Sequence, residues 1–132
     1  MENRKTINVL VMETDTAITE KIEKLLKERS YQPTRVSTKD DATSLLKRGH
    51  YPLALVGHTF ESDSVFESMK DIVMTSPMTS MLLITDRPQA EVDEKSEGYG
   101  ILGHVKRNIP AEDLTSLLNN FEGIYKTLPG KK

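Results

Sequence analysis

Apolar and polar residues alternate along this chain in two rhythms, one suited to strands and one to helices. Ile7, Val9, Leu10, Val11 and Met12 form a compact run of mostly branched side chains and predict a first strand. Glu13-Thr14-Asp15-Thr16 then offers good helix N-cap residues. Ile18, Ile22, Leu25 and Leu26 follow on one face, with Glu20, Lys21, Lys24 and Lys27 toward solvent, which predicts an amphipathic helix. Tyr31-Gln32-Pro33 should break that helix, and Thr34–Ser37 reads as a weak strand at a sheet edge, being poor in apolar residues and close to a proline.

Thr38 and Asp41 resemble a capping box, Ala42, Leu45 and Leu46 continue at helical spacing, and Gly49 is the expected stop. Leu53-Ala54-Leu55-Val56 is a short, wholly apolar run and predicts a central strand covered on both faces. The loop from His58 to Asp63 leads to a third helix with Val65, Phe66, Met69, Ile72 and Val73 inward, closed by Pro77. Met81 to Ile84 predicts a fourth strand, ending at Thr85. The segment from Gln89 to Glu97 is the weakest helix, acidic, with only Ala90 and Val92 to offer a core. Gly98 and Gly100 bracket Tyr99, Ile101 to Val105 predicts the fifth strand, interrupted by Gly103, and Pro110 stands at a good first helical position. Leu114, Leu117, Leu118 and Phe121 define the last helix.

Strands alternating with helices predict a parallel α/β sheet with helices on both faces and right-handed crossovers. A length of 132 residues suits one core, placed here at residues 1–127, with 128–132 as a tail or the start of a linker. Composition narrows the function classes. Charged residues make up 29% and the formal net charge is only -2, so nothing marks a nucleic-acid or membrane surface. The basic pairs Lys47-Arg48, Lys106-Arg107 and Lys131-Lys132 are dispersed and balanced by acids. No apolar stretch approaches the roughly 20 residues that span a bilayer, and Ile7–Met12 is too short for a signal-peptide core. Cysteine is absent, which rules out disulfides and thiolate chemistry and accords with a cytoplasmic protein.

In an open parallel α/β sheet, sites form outside the carboxyl ends of the strands. Gly57 follows the central strand there, with no side chain to do chemistry. His50, His58 and His104 lack the tight spacing of a metal site and read as ordinary strand-end and surface histidines. Thr14, Thr16 and Thr19 do not make a flavin-phosphate loop, because no glycine permits close backbone approach and Glu13 and Asp15 repel an anion. Met69 and Met81 fit core positions, whereas Met74 and Met78 fit exposed ones near Pro77. Arg107 has two candidate partners across the strand ends, Glu13 and Asp86, and either would make a charge-assisted, bidentate pair.

In order, spacing and local wording, the chain from Ile7 to Phe121 resembles the receiver domain of bacterial two-component response regulators. Tyr51–Val56 reads like the receiver's third strand, Phe66–Ile72 like the helix after it, and Gly103–Leu114, GHVKRNIPAEDL, like the fifth strand, loop and last helix. The resemblance implies a flavodoxin-like (βα)5 sandwich with strand order 2-1-3-4-5. Active receivers carry a phosphoacceptor aspartate after the third strand and an acidic pair after the first that helps to hold Mg²⁺. A Thr or Ser and a Lys contact the phosphoryl group.

This chain departs at most of those places. The acceptor position is Gly57 and the acidic pair is Glu13-Thr14. Thr85 matches but Asp86 follows it, and the lysine position is Arg107, with Asn108 where proline is usual. The aromatic switch position is His104, and Glu61 and Val65 replace the proline and glycine of the loop after the third strand. An acyl phosphate needs a carboxylate nucleophile, and Mg²⁺ needs several hard oxygens. The resemblance thus implies a degenerate receiver, not an enzyme, with no Mg²⁺ or other cofactor, acting through protein partners. The face of the fourth helix, fifth strand and last helix would carry partner or homodimer contacts, through Tyr99, His104 and Ile109. The sparse fourth helix would be mobile or completed by a partner. Two alternatives stand beside this one. One is phosphorylation on a substitute carboxylate, Asp15, Asp63 or Asp86, each read first as a cap or solvated loop residue. The other is a small-molecule sensor using the vacant strand-end pocket.

Overall fold

Alternate residues of the central strands point to opposite faces, and each face is apolar, so the sheet must be covered twice. The computed structural model describes residues 6–61 and 64–127. In chain order these form β1 (Ile7–Met12), α1 (Thr16–Glu28), β2 (Tyr31–Val36), α2 (Lys39–Arg48) and β3 (Leu53–Val56). They continue with α3 (Val65–Thr75), β4 (Ser80–Ile84), α4 (Gln89–Ser96), β5 (Gly103–Val105) and α5 (Ala111–Thr127). The strands are parallel and ordered β2-β1-β3-β4-β5, the flavodoxin-like arrangement expected. Asp63 and the tail at 128–132 lie outside the described residues.

Val9, Val11, Leu53, Leu55, Leu82 and Ile84 face one way and pack with Ile22 and Leu26 of α1 and Leu114, Leu118 and Phe121 of α5. Leu10, Met12, Ala54, Val56, Met81 and Leu83 face the other way, against Ala42 and Leu46 of α2 and Val65, Met69 and Ile72 of α3. The helix starts follow the predicted caps. Asp15 Oδ1 accepts from the Ile18 N–H at 3.2 Å, and Thr38 Oγ1 from the Asp41 N–H at 3.1 Å. Met69 and Met81 are buried, and Met74 and Met78 are 84% and 80% exposed.

Four details differ from the sequence expectation. Strand β2 begins at Tyr31, not Thr34, because the turn falls earlier, at Ser30, whose φ is +68°. Pro33 is tolerated inside β2 because the strand lies at the sheet edge and pairs only with β1. Strand β5 shortens to Gly103–Val105, and a Cβ at Gly103 would stand 2.8 Å from Leu117 Cδ2, so the glycine admits α5. Helix α5 starts one residue after Pro110, whose carbonyl accepts from the Leu114 N–H at 3.1 Å. In α4, Ala90 is exposed, and Val92 and Ser96 are the buried residues.

Candidate functional site

The register sets the carboxyl ends of the central strands side by side. Met12 pairs with Val56, and Val56 with Leu83. Just beyond, the Gly57 N–H donates to the Met12 carbonyl at 2.7 Å and the Thr85 N–H to the Val105 carbonyl at 2.9 Å. Glu13, Gly57, Thr85 and Arg107 therefore come to one end of the sheet, as the sequence reading expects.

That position at Gly57 is not vacant. A Cβ placed on Gly57 would lie 2.0 Å from Glu13 Oε1. The Glu13 side chain is fully buried, and its carboxylate takes the space that any side chain at 57 would need. Arg107 Nη1 donates to Glu13 Oε1 and Nη2 to Oε2, both at 2.8 Å. This is the bidentate fork that a guanidinium makes and an ammonium does not. The Asp15 N–H donates to Oε2 at 2.9 Å and the His58 N–H to Oε1 at 3.1 Å. Burial works to raise the Glu13 carboxyl, but the Arg107 hydrogen bonds, the two backbone N–H groups and the Arg107 charge outweigh it and hold the carboxyl below its usual 4.5. Burial likewise works against the Arg107 charge, and the bond to Glu13 more than restores it.

The loop that aims Arg107 is tightly turned. The Ile109 N–H donates to the Lys106 carbonyl at 2.9 Å, and Ile109 has a φ of +49°. A β-branched residue in that region costs on the order of 1–3 kcal/mol, here offset by burial of the whole side chain. Ile109 is consequently a core residue and leaves the partner face on which the sequence reading placed it; Tyr99 and His104 remain half-buried. Asp86 Oδ1 accepts from the Arg107 N–H at 3.0 Å, and Lys21 Nζ donates to the Asn108 carbonyl at 2.7 Å. Of the two partners weighed for the Arg107 guanidinium, Glu13 takes it and Asp86 holds the backbone. Thr85 Oγ1 is turned to its own loop, accepting from the Arg87 N–H at 3.1 Å.

Thr14 contributes no carboxylate, and Asp15 and Asp86 serve as the cap and loop residues described. His58 reaches the site by its backbone, whereas His50 lies at the opposite end of the sheet, its carbonyl accepting from Asn8 Nδ2 at 3.3 Å. Among the described residues no group of three His, Cys, Asp or Glu side chains is disposed to hold a metal ion. The donor set also does not fit Mg²⁺. Both Glu13 oxygens are committed to the Arg107 cation and to backbone N–H donors, and position 57 adds no side-chain oxygen.

Beside the pair, between the start of α3 and α4, lies an open cleft of about 690 Å³, reached by His58, Ser64, Phe66, Thr85, Lys95 and Arg107. The mutual fit of Gly57 and Glu13 is the feature that sequence reasoning missed. Its signal was the coincidence of a glycine, a longer carboxylate and a forked cation at neighbouring strand ends.

No protein-family profile and no curated protein match the chain. Solved structures do. A CheY-like response regulator receiver domain from Methanospirillum hungatei superposes with a TM-score of 0.76 at 16% identity, over 90% of this chain and 96% of the other. A response regulator from Thermotoga maritima gives 0.77 at 14%, over 90% and 99%. The chemotaxis protein CheY4 of Vibrio cholerae gives 0.77 at 16%, over 89% and 99%. At such identities the likeness is one of fold, and the fold is that of a CheY-like receiver domain. No helix among the described residues is long and apolar enough to cross a membrane.

Proposed function

We propose that this chain is a degenerate receiver that acts in signal transduction through protein–protein contact, without a phosphorylation cycle and without catalysing a reaction. The observation that carries this reading is the Glu13 carboxylate filling the space over Gly57, in a bidentate pair with Arg107. A phosphoryl group needs an acceptor oxygen there, a cation to meet it and room for the group itself. Here the acceptor is missing, the cation is already paired and the room is taken. The pair supplies internally the kind of contact that a phosphoryl group and lysine make in an active receiver, so the strand ends are held in one arrangement. Partner contact is assigned to the face of α4, β5 and α5, where Tyr99 and His104 are half-exposed. The setting that goes with this reading is the bacterial cytoplasm.

The test is intact mass after incubation with acetyl phosphate and Mg²⁺, beside an active receiver. The expected result is no phosphoryl adduct. A stoichiometric, acid-stable and base-labile adduct, mapped by peptide analysis to Asp15, Asp63 or Asp86, would overturn the reading.

A further inference from the structure

We infer that the cleft between α3 and α4 binds a small zwitterion with an apolar body, the chemistry of an apolar α-amino acid or dipeptide. Its volume of about 690 Å³ lies within the range of small-molecule sites. Its wall is apolar at Val65, Phe66 and Pro88. Most of its charges are already matched: Arg107 is joined to Glu13, and Arg87 Nη2 lies 2.9 Å from Glu91 Oε2. Among the described lining residues two side chains of opposite charge stand outside these pairs, Lys95 and Asp86, the latter close enough to act on the Arg107 charge. Neither makes an ion pair among the described residues. Asp86 Oδ1 accepts the Arg107 N–H, which leaves Oδ2 available to a ligand.

The balance selects the ligand class. An anion gains Lys95 but meets Asp86, and a cation meets the reverse. A molecule carrying both a carboxylate and an ammonium group satisfies both, and its body removes apolar surface from water. The inference rests on the closed Glu13–Arg107 pair, because an open pair would add the Arg107 guanidinium to the cleft and tip the balance toward anions.

The test titrates the full chain with L-phenylalanine and L-leucyl-L-phenylalanine, followed by amide chemical shifts. The singly charged analogues 3-phenylpropanoate and 2-phenylethylamine are the controls. Saturable shifts at Val65, Phe66 and Arg87 are expected with the zwitterions, with affinity for the analogues roughly ten-fold or more weaker. Lys95→Met and Asp86→Asn should each weaken zwitterion binding by a similar factor, and Asn keeps the acceptor for the Arg107 N–H. No saturable shift at millimolar concentration, equal binding of an analogue, or unchanged affinity in both variants would each overturn the inference. A phosphoryl adduct in the acetyl phosphate assay would instead strike the reading of the site beneath it, so the two failures are told apart.

Discussion

Adding one methyl group at Gly57 tests whether the Glu13 carboxylate really owns that space. In Gly57→Ala the new Cβ would stand 2.0 Å from Glu13 Oε1, 3.1 Å from its Cδ and 3.3 Å from the Met12 carbonyl oxygen. A clash with the end of a flexible side chain is ordinarily cheap. Here that end is held by four hydrogen bonds, from Arg107 Nη1 and Nη2 and from the Asp15 and His58 N–H groups. Retreat of the carboxylate pulls Oε1 away from Arg107 Nη1 and the His58 N–H first. Hydrogen bonds to charged groups contribute about 1.5–3 kcal/mol each, so losing two costs about 3–6 kcal/mol. The unfolded chain of the alanine variant has less freedom, which returns about 0.4–1 kcal/mol. The net expectation is a loss of about 2–5 kcal/mol, a large share of the 5–15 kcal/mol typical of a domain. Urea unfolding followed by circular dichroism reads this directly, with an unchanged slope and a lower midpoint. The decisive control is the same substitution in a Glu13→Ala background, where the methyl has room and should be neutral or mildly stabilising. The unfolded-state gain is common to both backgrounds and cancels, so the coupling energy between the two positions should be the cost of the displaced bonds, about 3–6 kcal/mol. A Gly57→Ala cost below about 0.5 kcal/mol, or the same cost in both backgrounds, would refute the account of Gly57.

Two pH series probe the charges. The fold holds the Glu13 carboxyl below its usual 4.5 against the effect of burial, so its contribution to stability is complete above about pH 4.5 and disappears as pH falls through the folded value. Wild type should therefore lose stability more steeply than Glu13→Gln below about pH 4.5, and parallel urea midpoints in acid would refute this. Tyr31 behaves in the opposite sense: burial and the hydrogen bond to Glu122 raise its phenol above the usual 10.0. Its contribution is present below pH 10 and lost as pH rises toward the folded value, so Tyr31→Phe should flatten the alkaline limb of stability. In ultraviolet titration one of the four tyrosines should ionise late, and its disappearance in the variant identifies it.

The sheet order and the helix faces were legible because strand and helix rhythms differ and each apolar run here is short and clean. Leu53 to Val56 is buried at every residue, as a wholly apolar run must be in a sheet covered twice. Edges were less legible. Pro33 reads as a breaker in isolation and moves the expected start of the strand to Thr34, yet a proline costs little on the open side of an edge strand, and β2 is the edge that its composition implied. Ile109 could not be placed from pattern alone, because its burial depends on a left-handed turn that a branched residue rarely adopts. The three positions Glu13, Gly57 and Arg107 stand out in the sequence, and so does the complementary charge of Glu13 and Arg107. What a sequence cannot give is distance across the strand ends, so the glycine read as an empty place when it was the condition for filling it.

The departures from the receiver pattern make sense only together. Glu13 buried without Arg107 would be an unpaired charge in the core, a cost of about 3–5 kcal/mol. Arg107 without Glu13 would have no fork to match, and any side chain at 57 would break both. A substitution at one position is therefore opposed by the other two, and under the proposed function a phosphate-accepting site is not reached by single steps. Under the proposed function, the same closure limits how this chain can carry a signal. Moving a two-state element from 1:99 to 99:1 takes about 5.5 kcal/mol of differential binding. Opening the pair first would add its own cost to that requirement, so an input acting through the strand ends would be inefficient. Helix α4 is held to the core by Val92 and Ser96 and has no side-chain cap at its start. Elements with few buried contacts open most easily. Under the proposed function, a partner or ligand engaging α4 can thus bias conformation while the Glu13–Arg107 pair stays shut, which places a switch beside the strand-end pair and not within it.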